Sequence, residues 1–116
     1  MPEPLEPHDL HDRALGAYLG FAIGDALGAP VEFMRPREIA VQYGVHRDII
    51  GGGWLKLASG QVTDDTTMSL ALGTALLQGG RAALLRHAQG DDTLVRSIGD
   101  AYVQWFKGKP VDCGNT

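Results

Sequence analysis

The chain has 116 residues, of which 44% are hydrophobic and 21% charged, a composition typical of a small globular domain rather than a disordered, collagen-like or coiled-coil protein. Ten basic and fourteen acidic residues give a formal net charge of −4. The basic residues are scattered singly, so the sequence does not indicate a nucleic-acid-binding surface. A single cysteine excludes an internal disulfide.

The N-terminal residues are rich in Pro and Glu and contain no apolar run of the secretory type. We expect a flexible N-terminus over residues 1–10. The longest apolar stretch, 14–31, is filled largely by Ala and Gly and is interrupted by Asp25. We therefore expect no transmembrane segment, and a cytoplasmic protein.

Apolar residues at three- and four-residue spacing predict a first helix over 11–27, which the glycine and proline of 28–30 end. Glycines recur every fourth residue in this segment, at Gly16, Gly20, Gly24 and Gly28. An interior glycine costs about 1 kcal/mol relative to alanine in a helix. We expect close helix packing along that face, with approach of a ligand as the less favoured alternative.

The following segments continue the helical pattern. A short helix is predicted over 36–40, and the glycines of 51–53 predict a flexible loop. A second long helix is predicted over 64–78, ended by Gly79-Gly80, with a helical turn or two beyond it. A strong amphipathic stripe predicts a third long helix over 92–106. No segment alternates long enough for a sheet, so the predicted class is all-α.

The densest cluster of oxygen ligands, Thr63-Asp64-Asp65-Thr66-Thr67, lies at the start of the second long helix. Adjacent carboxylates flanked by hydroxyls suit a hard cation such as Mg²⁺ or Mn²⁺. Asp and Thr are also common helix caps, and spacing alone favours that interpretation. Asp91 and Asp92 have nearly the same composition at the next helix start, so they provide an internal control.

The other titratable residues give weaker signals. Glu32 follows the end of the first helix and could border a pocket, and Asp112 lies in a turn-forming segment. Cys113 is a poor nucleophile candidate because the neighbouring carboxylate disfavours its thiolate. The four histidines show no metal-ligand spacing and are expected at the surface.

The order of five segments along the chain resembles the ADP-ribosylglycohydrolase family. The segments are His11–Gly16, Gly24–Phe33, Ile50–Trp54, Thr63–Thr66 and Pro110–Thr116. The resemblance covers nearly all of 11–116. It implies an all-α orthogonal helical bundle, of which 11–116 would be the N-terminal part.

The resemblance also implies an activity. Family members hydrolyse the bond between ADP-ribose and a protein side chain, here expected to be arginine, at a two-metal centre that contains Mn²⁺ or Mg²⁺. The implied partner is an ADP-ribosylated protein. Dinitrogenase reductase is a candidate, which would link the chain to the regulation of nitrogen fixation.

Carried over by motif, the resemblance assigns roles to individual residues. The implied metal ligands are Thr63, Asp64 and Asp65; the implied catalytic residues are Glu32 and Asp112; the implied substrate-binding residues are Gly51, Gly52, Gly53 and Asn115. The four acidic residues of this set are expected to face one cavity.

One departure from the family bears on activity. The remaining metal ligands of the family lie in an Asp-x-Asp-Thr motif, which does not occur in these 116 residues. Asp64 and Asp65 supply two negative charges for two divalent ions. We therefore expect the chain alone to be an inactive fragment that lacks downstream metal ligands. The alternative is a non-catalytic helical pseudoenzyme or partner-binding fragment.

Overall fold

The computed structural model describes residues 6–114, and helices dominate that range. The α-helices are α1 (Pro7–Gly28), α2 (Pro36–Tyr43), α3 (Asp64–Ala88) and α4 (Thr93–Lys107), and a 3-10 turn spans Ala29–Val31. No strand occurs within 6–114, where the β-structure is an isolated bridge between Gly52 and Leu57. The predicted all-α class is confirmed. The chain divides into two compact units, the first ending at Val62 and the second beginning at Thr63.

In the first unit, α1 begins at Pro7, earlier than predicted. Proline suits the first turn of a helix because its φ is already helical and its missing N–H would have no partner there. The predicted boundary between a flexible N-terminus and the domain at residue 10 stays a prediction, and α1 runs through it. At the other end, Ala26 is buried and Pro30 in the 3-10 turn is fully buried, so the helix packs at its C-terminal end.

The four-residue glycine repeat of α1 does not pack as expected. A Cβ atom added at Gly16, Gly20, Gly24 or Gly28 would meet no other heavy atom within 4 Å in the described part of the chain. The neighbouring side chains of Leu15 and Leu19 are about half exposed, at 48% and 53%. Close helix packing along the glycine face is therefore not found among residues 6–114.

The apolar length of α1 bears on whether the chain has a transmembrane segment. The stretch Pro7–Val31 is long and apolar enough to cross a bilayer, with a mean hydropathy of 1.3 over its most apolar window. A core helix of a globular domain or a signal sequence meets the same measure. The expected absence of a transmembrane segment accordingly stays a prediction.

The glycines at 51–53 form a packed turn rather than the expected flexible loop. Gly52 and Leu57 exchange backbone hydrogen bonds of 2.7 and 3.0 Å. A Cβ on Gly53 would lie 2.8 Å from the Cα of Pro30, and one on Gly51 would lie 2.5 Å from the carbonyl oxygen of Leu57. Both glycines also have positive φ, which other residues adopt only with strain. The turn is thus fitted closely against the 3-10 turn.

A histidine in the segment between α2 and α3 makes a hydrogen bond to the end of α1. The ring Nε2 of His46 lies 2.6 Å from the Leu27 carbonyl oxygen, which accepts the hydrogen bond. The side chain is half-buried, so His46 is not the surface residue that we expected from its sequence context. It ties the segment after α2 to the end of α1.

In the second unit, α3 and α4 pack against each other. Gly80 interrupts α3 with non-helical angles of φ 63° and ψ −172°, at the position where glycines predicted the helix end. Leu94 at the start of α4 is buried, and its Cδ1 would lie 3.4 Å from a Cβ added at Gly79. A small residue at position 79 therefore lets α4 approach α3.

We predict opposite effects of alanine at two glycines. Gly53→Ala should lower the free energy of unfolding by about 2 kcal/mol or more, because the new methyl group meets the Pro30 backbone at a positive φ. Gly20→Ala should raise it by up to about 1 kcal/mol, because the position is helical and open. Urea unfolding of both variants measures the difference. A Gly53→Ala variant as stable as the parent would contradict the packed turn.

Candidate functional site

The carboxylate-rich end of α3 begins with Thr63 as the helix cap. The Thr63 side chain is buried, and its Oγ1 accepts a hydrogen bond from the Asp65 backbone N–H at 3.4 Å. Asp64 and Asp65 occupy the first helical turn, where the partial positive charge of the helix N-terminus favours ionised carboxylates. The chain therefore places two adjacent carboxylates at a fixed helix start.

A tryptophan from α4 supports this helix start. The indole Nε1 of Trp105 donates a hydrogen bond to Thr67 Oγ1 at 2.8 Å, and Thr67 Oγ1 donates to the Thr63 carbonyl at 3.2 Å. The sequence placed Trp105 only in an apolar stripe. A buried tryptophan still needs a hydrogen-bond acceptor for its indole N–H. That requirement is the feature of the sequence that could have indicated a polar partner for Trp105.

A second carboxylate reaches α3 from the segment after α4. Asp112 Oδ1 accepts hydrogen bonds from the backbone N–H groups of Cys113 and Gly114, at 2.8 and 3.1 Å. This local turn is the structure that Asp, Gly and Asn predict. Both bonds end on Oδ1, so they orient the carboxylate and leave Oδ2 for other partners.

Asp64 and Asp112 lie close enough to interact electrostatically. The pKa of Asp64 is raised from its ordinary value of 3.8, first by burial and then by the negative charge of Asp112, with a smaller contribution from Asp65. Gly114 lies beside the same carboxylate, since a Cβ at Gly114 would be 3.1 Å from Asp64 Oδ2. The second unit thus gathers acidic groups that repel one another.

At the control pair, Asp91 differs from Asp64 in the direction of its pKa shift. Asp91 Oδ1 accepts a hydrogen bond from the Thr93 backbone N–H at 2.7 Å. The Asp91 pKa is lowered, first by a hydrogen bond from the Thr93 side chain and then by this backbone bond. Asp92 occupies the cap position of α4 but makes no side-chain cap hydrogen bond. Capping therefore comes from Asp91, and no other acidic residue raises its pKa.

Glu32 belongs to the first unit, where Trp54 holds its carboxylate. Trp54 Nε1 donates a hydrogen bond to Glu32 Oε2 at 3.1 Å. The Phe33 ring meets the Trp54 ring edge-on, with centroids 5.5 Å apart. The sequence assigned no role to Trp54, although it directly follows Gly53 in one of the five segments.

Within the second unit, the structure brings together part of the predicted site. Asp64 and Asp112 lie together in the second unit, whereas Glu32 and the glycines of 51–53 belong to the first. A common cavity for Glu32 and the aspartates stays a prediction, as does the substrate-binding role of these glycines. Asn115 lies outside the described residues. Within 6–114, no three His, Cys, Asp or Glu side chains are grouped closely enough to hold one ion.

The donors of the second unit nevertheless fit a hard divalent cation. Carboxylate and hydroxyl oxygens are the ligands that Mg²⁺ and Mn²⁺ prefer. The pKa of Asp64 is raised first by burial and then by the charge of Asp112, and a bound cation would offset both effects. The described residues provide a partial ligand set of this kind.

The fold is all-α, and α3 begins with a cluster of carboxylate and hydroxyl oxygens. These features define a class of helical proteins whose carboxylates can hold a hard cation. The family model for ADP-ribosylglycohydrolase matches residues 6–116, and the chain belongs to that family. The family resemblance found in the sequence is therefore confirmed.

Two relatives illustrate the similarity. The chain is 54% identical over 107 residues to ADP-ribosyl-[dinitrogen reductase] glycohydrolase of Rhodospirillum rubrum, covering 92% of this chain and 33% of that protein. It is 36% identical over 119 residues to ADP-ribosylarginine hydrolase Tri1 of Pseudomonas putida (strain GB-1), covering 96% of this chain and 28% of that protein. The chain spans about a third or less of the length of these curated relatives.

Substitution of asparagine for each of the two aspartates with shifted pKa values should change the free energy of unfolding in opposite directions. A raised pKa means that the folded chain holds the Asp64 proton more tightly than the unfolded chain, so stability falls as pH rises above 3.8 through the folded pKa. Asp64→Asn should therefore raise the free energy of unfolding at pH 7 in metal-free buffer. The gain should disappear below pH 3.8.

Asp91→Asn is the matched control. The Asp91 pKa is lowered, so its stabilisation is present above pH 3.8 and is lost as pH falls through the folded pKa. This substitution should lower the free energy of unfolding at pH 7. Urea unfolding between pH 3 and 7 checks both signs, and a destabilised Asp64→Asn variant at pH 7 would contradict the proximity to Asp112.

Proposed function

We propose that the chain contributes to a hydrolase that removes ADP-ribose from an arginine side chain of a modified protein. The single structural observation behind the proposal is that the Asp112–Gly114 turn lies against Asp64: a Cβ added at Gly114 would be 3.1 Å from Asp64 Oδ2, and the Gly114 N–H donates to Asp112 Oδ1 at 3.1 Å. The names of the relatives support the substrate: one acts on dinitrogen reductase and another on ADP-ribosylarginine. An ADP-ribosylated dinitrogenase reductase is the first partner to test, in the cytoplasm.

We further propose that Thr63, Asp64 and Asp65 hold Mn²⁺ or Mg²⁺, as part of a two-metal centre. Such ions, when bound, supply positive charge that activates water and stabilises developing negative charge. The buried Thr63 cap fixes the backbone of the helix start, and the Trp105–Thr67 hydrogen bond holds the next turn. These contacts would keep the ligands oriented before an ion binds.

The reaction adds water across the bond between the anomeric carbon and the guanidine nitrogen. The water oxygen bonds to that carbon, and the guanidine nitrogen gains a proton as it leaves. Guanidine is a strong base and a poor leaving group without that proton, so a carboxylic acid is needed nearby. Asp112 and Glu32 are the two candidates. Backbone hydrogen bonds orient the first, and the Trp54 indole orients the second.

A chimera tests the metal ligands. This chain would replace the matched third of the Rhodospirillum rubrum relative, and release of ADP-ribose from ADP-ribosylarginine would be measured by chromatography. We expect Mn²⁺-dependent turnover that Asp64→Ala or Asp65→Ala abolishes. Asp92→Asn, at the other acidic pair, should leave turnover unchanged. Full activity of the Asp64→Ala chimera would show that this carboxylate is not a ligand.

In the same chimera, Asp112→Asn separates proton transfer from metal binding. We expect Mn²⁺ binding, measured by calorimetry, to persist while kcat falls about 100-fold, the lower range for loss of a general acid or base. Loss of Mn²⁺ binding together with turnover would instead make Asp112 a metal ligand.

The 116-residue chain alone should release no measurable ADP-ribose from ADP-ribosylarginine, with or without Mn²⁺. The reason is the partial ligand set, since a two-metal site needs more carboxylates than one helix start provides. The active chimera is the positive control. Robust turnover by the chain itself would overturn this account of the site.

A further inference from the structure

The chain leaves α4 through an unusual backbone conformation at Lys109. Its φ is 54°, in the left-handed region that non-glycine residues rarely adopt. Among residues 6–114, three non-glycine residues have a positive φ, and Lys109 is the one that lies in the second unit. Pro110 follows it, and a residue before proline prefers extended backbone. Two local preferences therefore oppose the conformation that Lys109 adopts.

Capping of α4 explains only part of this conformation. Helices often end on a left-handed residue, usually glycine, and the N–H groups of that residue and the next donate to carbonyls of the last turn. The Lys109 N–H donates to the Phe106 carbonyl at 3.1 Å. Pro110 has no N–H and cannot donate the second bond. The helix end therefore has the strained residue of this capping motif without its full set of hydrogen bonds.

The Lys109 side chain does not account for the conformation either. It is exposed and forms no ion pair within residues 6–114. A solvated ammonium group does not require a left-handed backbone, which glycine or asparagine would adopt more readily. The reason for the conformation therefore lies in the path of the chain.

Two contacts on the start of α3 lie on either side of this turn. The Trp105 indole donates to Thr67 Oγ1 at 2.8 Å. Further along the chain, a Cβ added at Gly114 would lie 3.1 Å from Asp64 Oδ2. A helix rises about 1.5 Å per residue, so α4 continued to residue 114 would advance about 14 Å beyond Trp105, whereas the two contacts are about 4.5 Å apart along α3. The chain therefore has to turn back onto α3 between them.

We propose that Lys109 is a positioning residue, whose left-handed backbone directs Asp112 to the start of α3. The inference rests on the proposed function, in which Asp112 is a candidate proton donor to the leaving guanidine. Lys109 itself touches neither substrate nor metal, and it affects the reaction through the place of the Asp112 carboxylate. Strained backbone persists where surrounding contacts hold it, and such strain is common at functional sites.

Substitutions at Lys109 separate its backbone from its charge. Lys109→Asn and Lys109→Gly remove the ammonium group, and both residues adopt a positive φ readily. Lys109→Val removes the same charge, but a β-branched residue strongly disfavours that conformation. Lys107→Val is the matched control, because it removes a lysine charge at the last helical residue of α4. Circular dichroism checks that all four variants fold.

The single cysteine reports on the Asp112 turn in the 116-residue chain. Cys113 is half-buried, and its backbone N–H donates to Asp112 Oδ1 at 2.8 Å. The probe is a chromogenic aromatic disulfide in metal-free buffer, and its reaction with the thiol is followed by absorbance. Lys109→Val should speed labelling about tenfold, because the turn opens locally. Lys109→Asn, Lys109→Gly and Lys107→Val should label at the parent rate.

The chimera with the Rhodospirillum rubrum relative measures the effect on catalysis. Lys109→Val should lower kcat for ADP-ribosylarginine about tenfold and leave KM nearly unchanged, because a displaced proton donor affects the chemical step. Lys109→Asn should keep the parent kcat, since it keeps the backbone conformation.

Labelling of Cys113 at the parent rate in Lys109→Val would overturn the proposal. An equal loss of kcat in Lys109→Asn would also overturn it, because the effect would then belong to the charge. A chimera with the parent sequence that releases no ADP-ribose would contradict the proposed function instead. The labelling comparison uses neither metal nor substrate, so it still decides whether Lys109 places the turn.

Discussion

The proximity of Asp64 to Asp112 is the constraint on which the proposed chemistry depends. A partly buried carboxylate beside a second carboxylate is electrostatically unfavourable, and the raised pKa of Asp64 expresses that cost. The chain holds the arrangement with neutral donors: backbone N–H groups orient Asp112, and Trp105 and Thr67 hold the first turns of α3. Such an arrangement favours binding of a cation, and the proposed hydrolase activity would give that cation a role.

In the first unit, close backbone packing positions the Glu32 carboxylate and its tryptophan partner. Gly53 packs so closely on Pro30 that a methyl group has no room, and the next residue, Trp54, then reaches Glu32. His46 ties the preceding segment to the Leu27 carbonyl. The glycines thus act through close packing, which places an aromatic residue and a carboxylate beside one another. This placement underlies the candidate role of Glu32.

The sequence predicted the helices well because their signals are local. Apolar spacing and cap-type residues located α3 and α4, and the glycine at position 80 marked the interruption of α3. Asp64 and Asp91 could not be separated in this way, since both sit at helix starts with similar neighbours. What distinguishes them is Asp112, a residue distant in the sequence that lies near Asp64 in the fold, in the unit where α4 packs on α3. The motif order of the family resemblance supplied that distinction where spacing could not.

Measurement of the Asp64 pKa by carboxyl-carbon NMR is the most direct test of the central claim. The titration would compare the metal-free chain with its Asp112→Asn variant. The structure predicts a pKa above 3.8 for Asp64 in the parent chain and a lower value in the variant, because one source of repulsion has been removed. An Asp64 pKa at or below 3.8, or one that Asp112→Asn leaves unchanged, would contradict the proximity on which the proposed site rests.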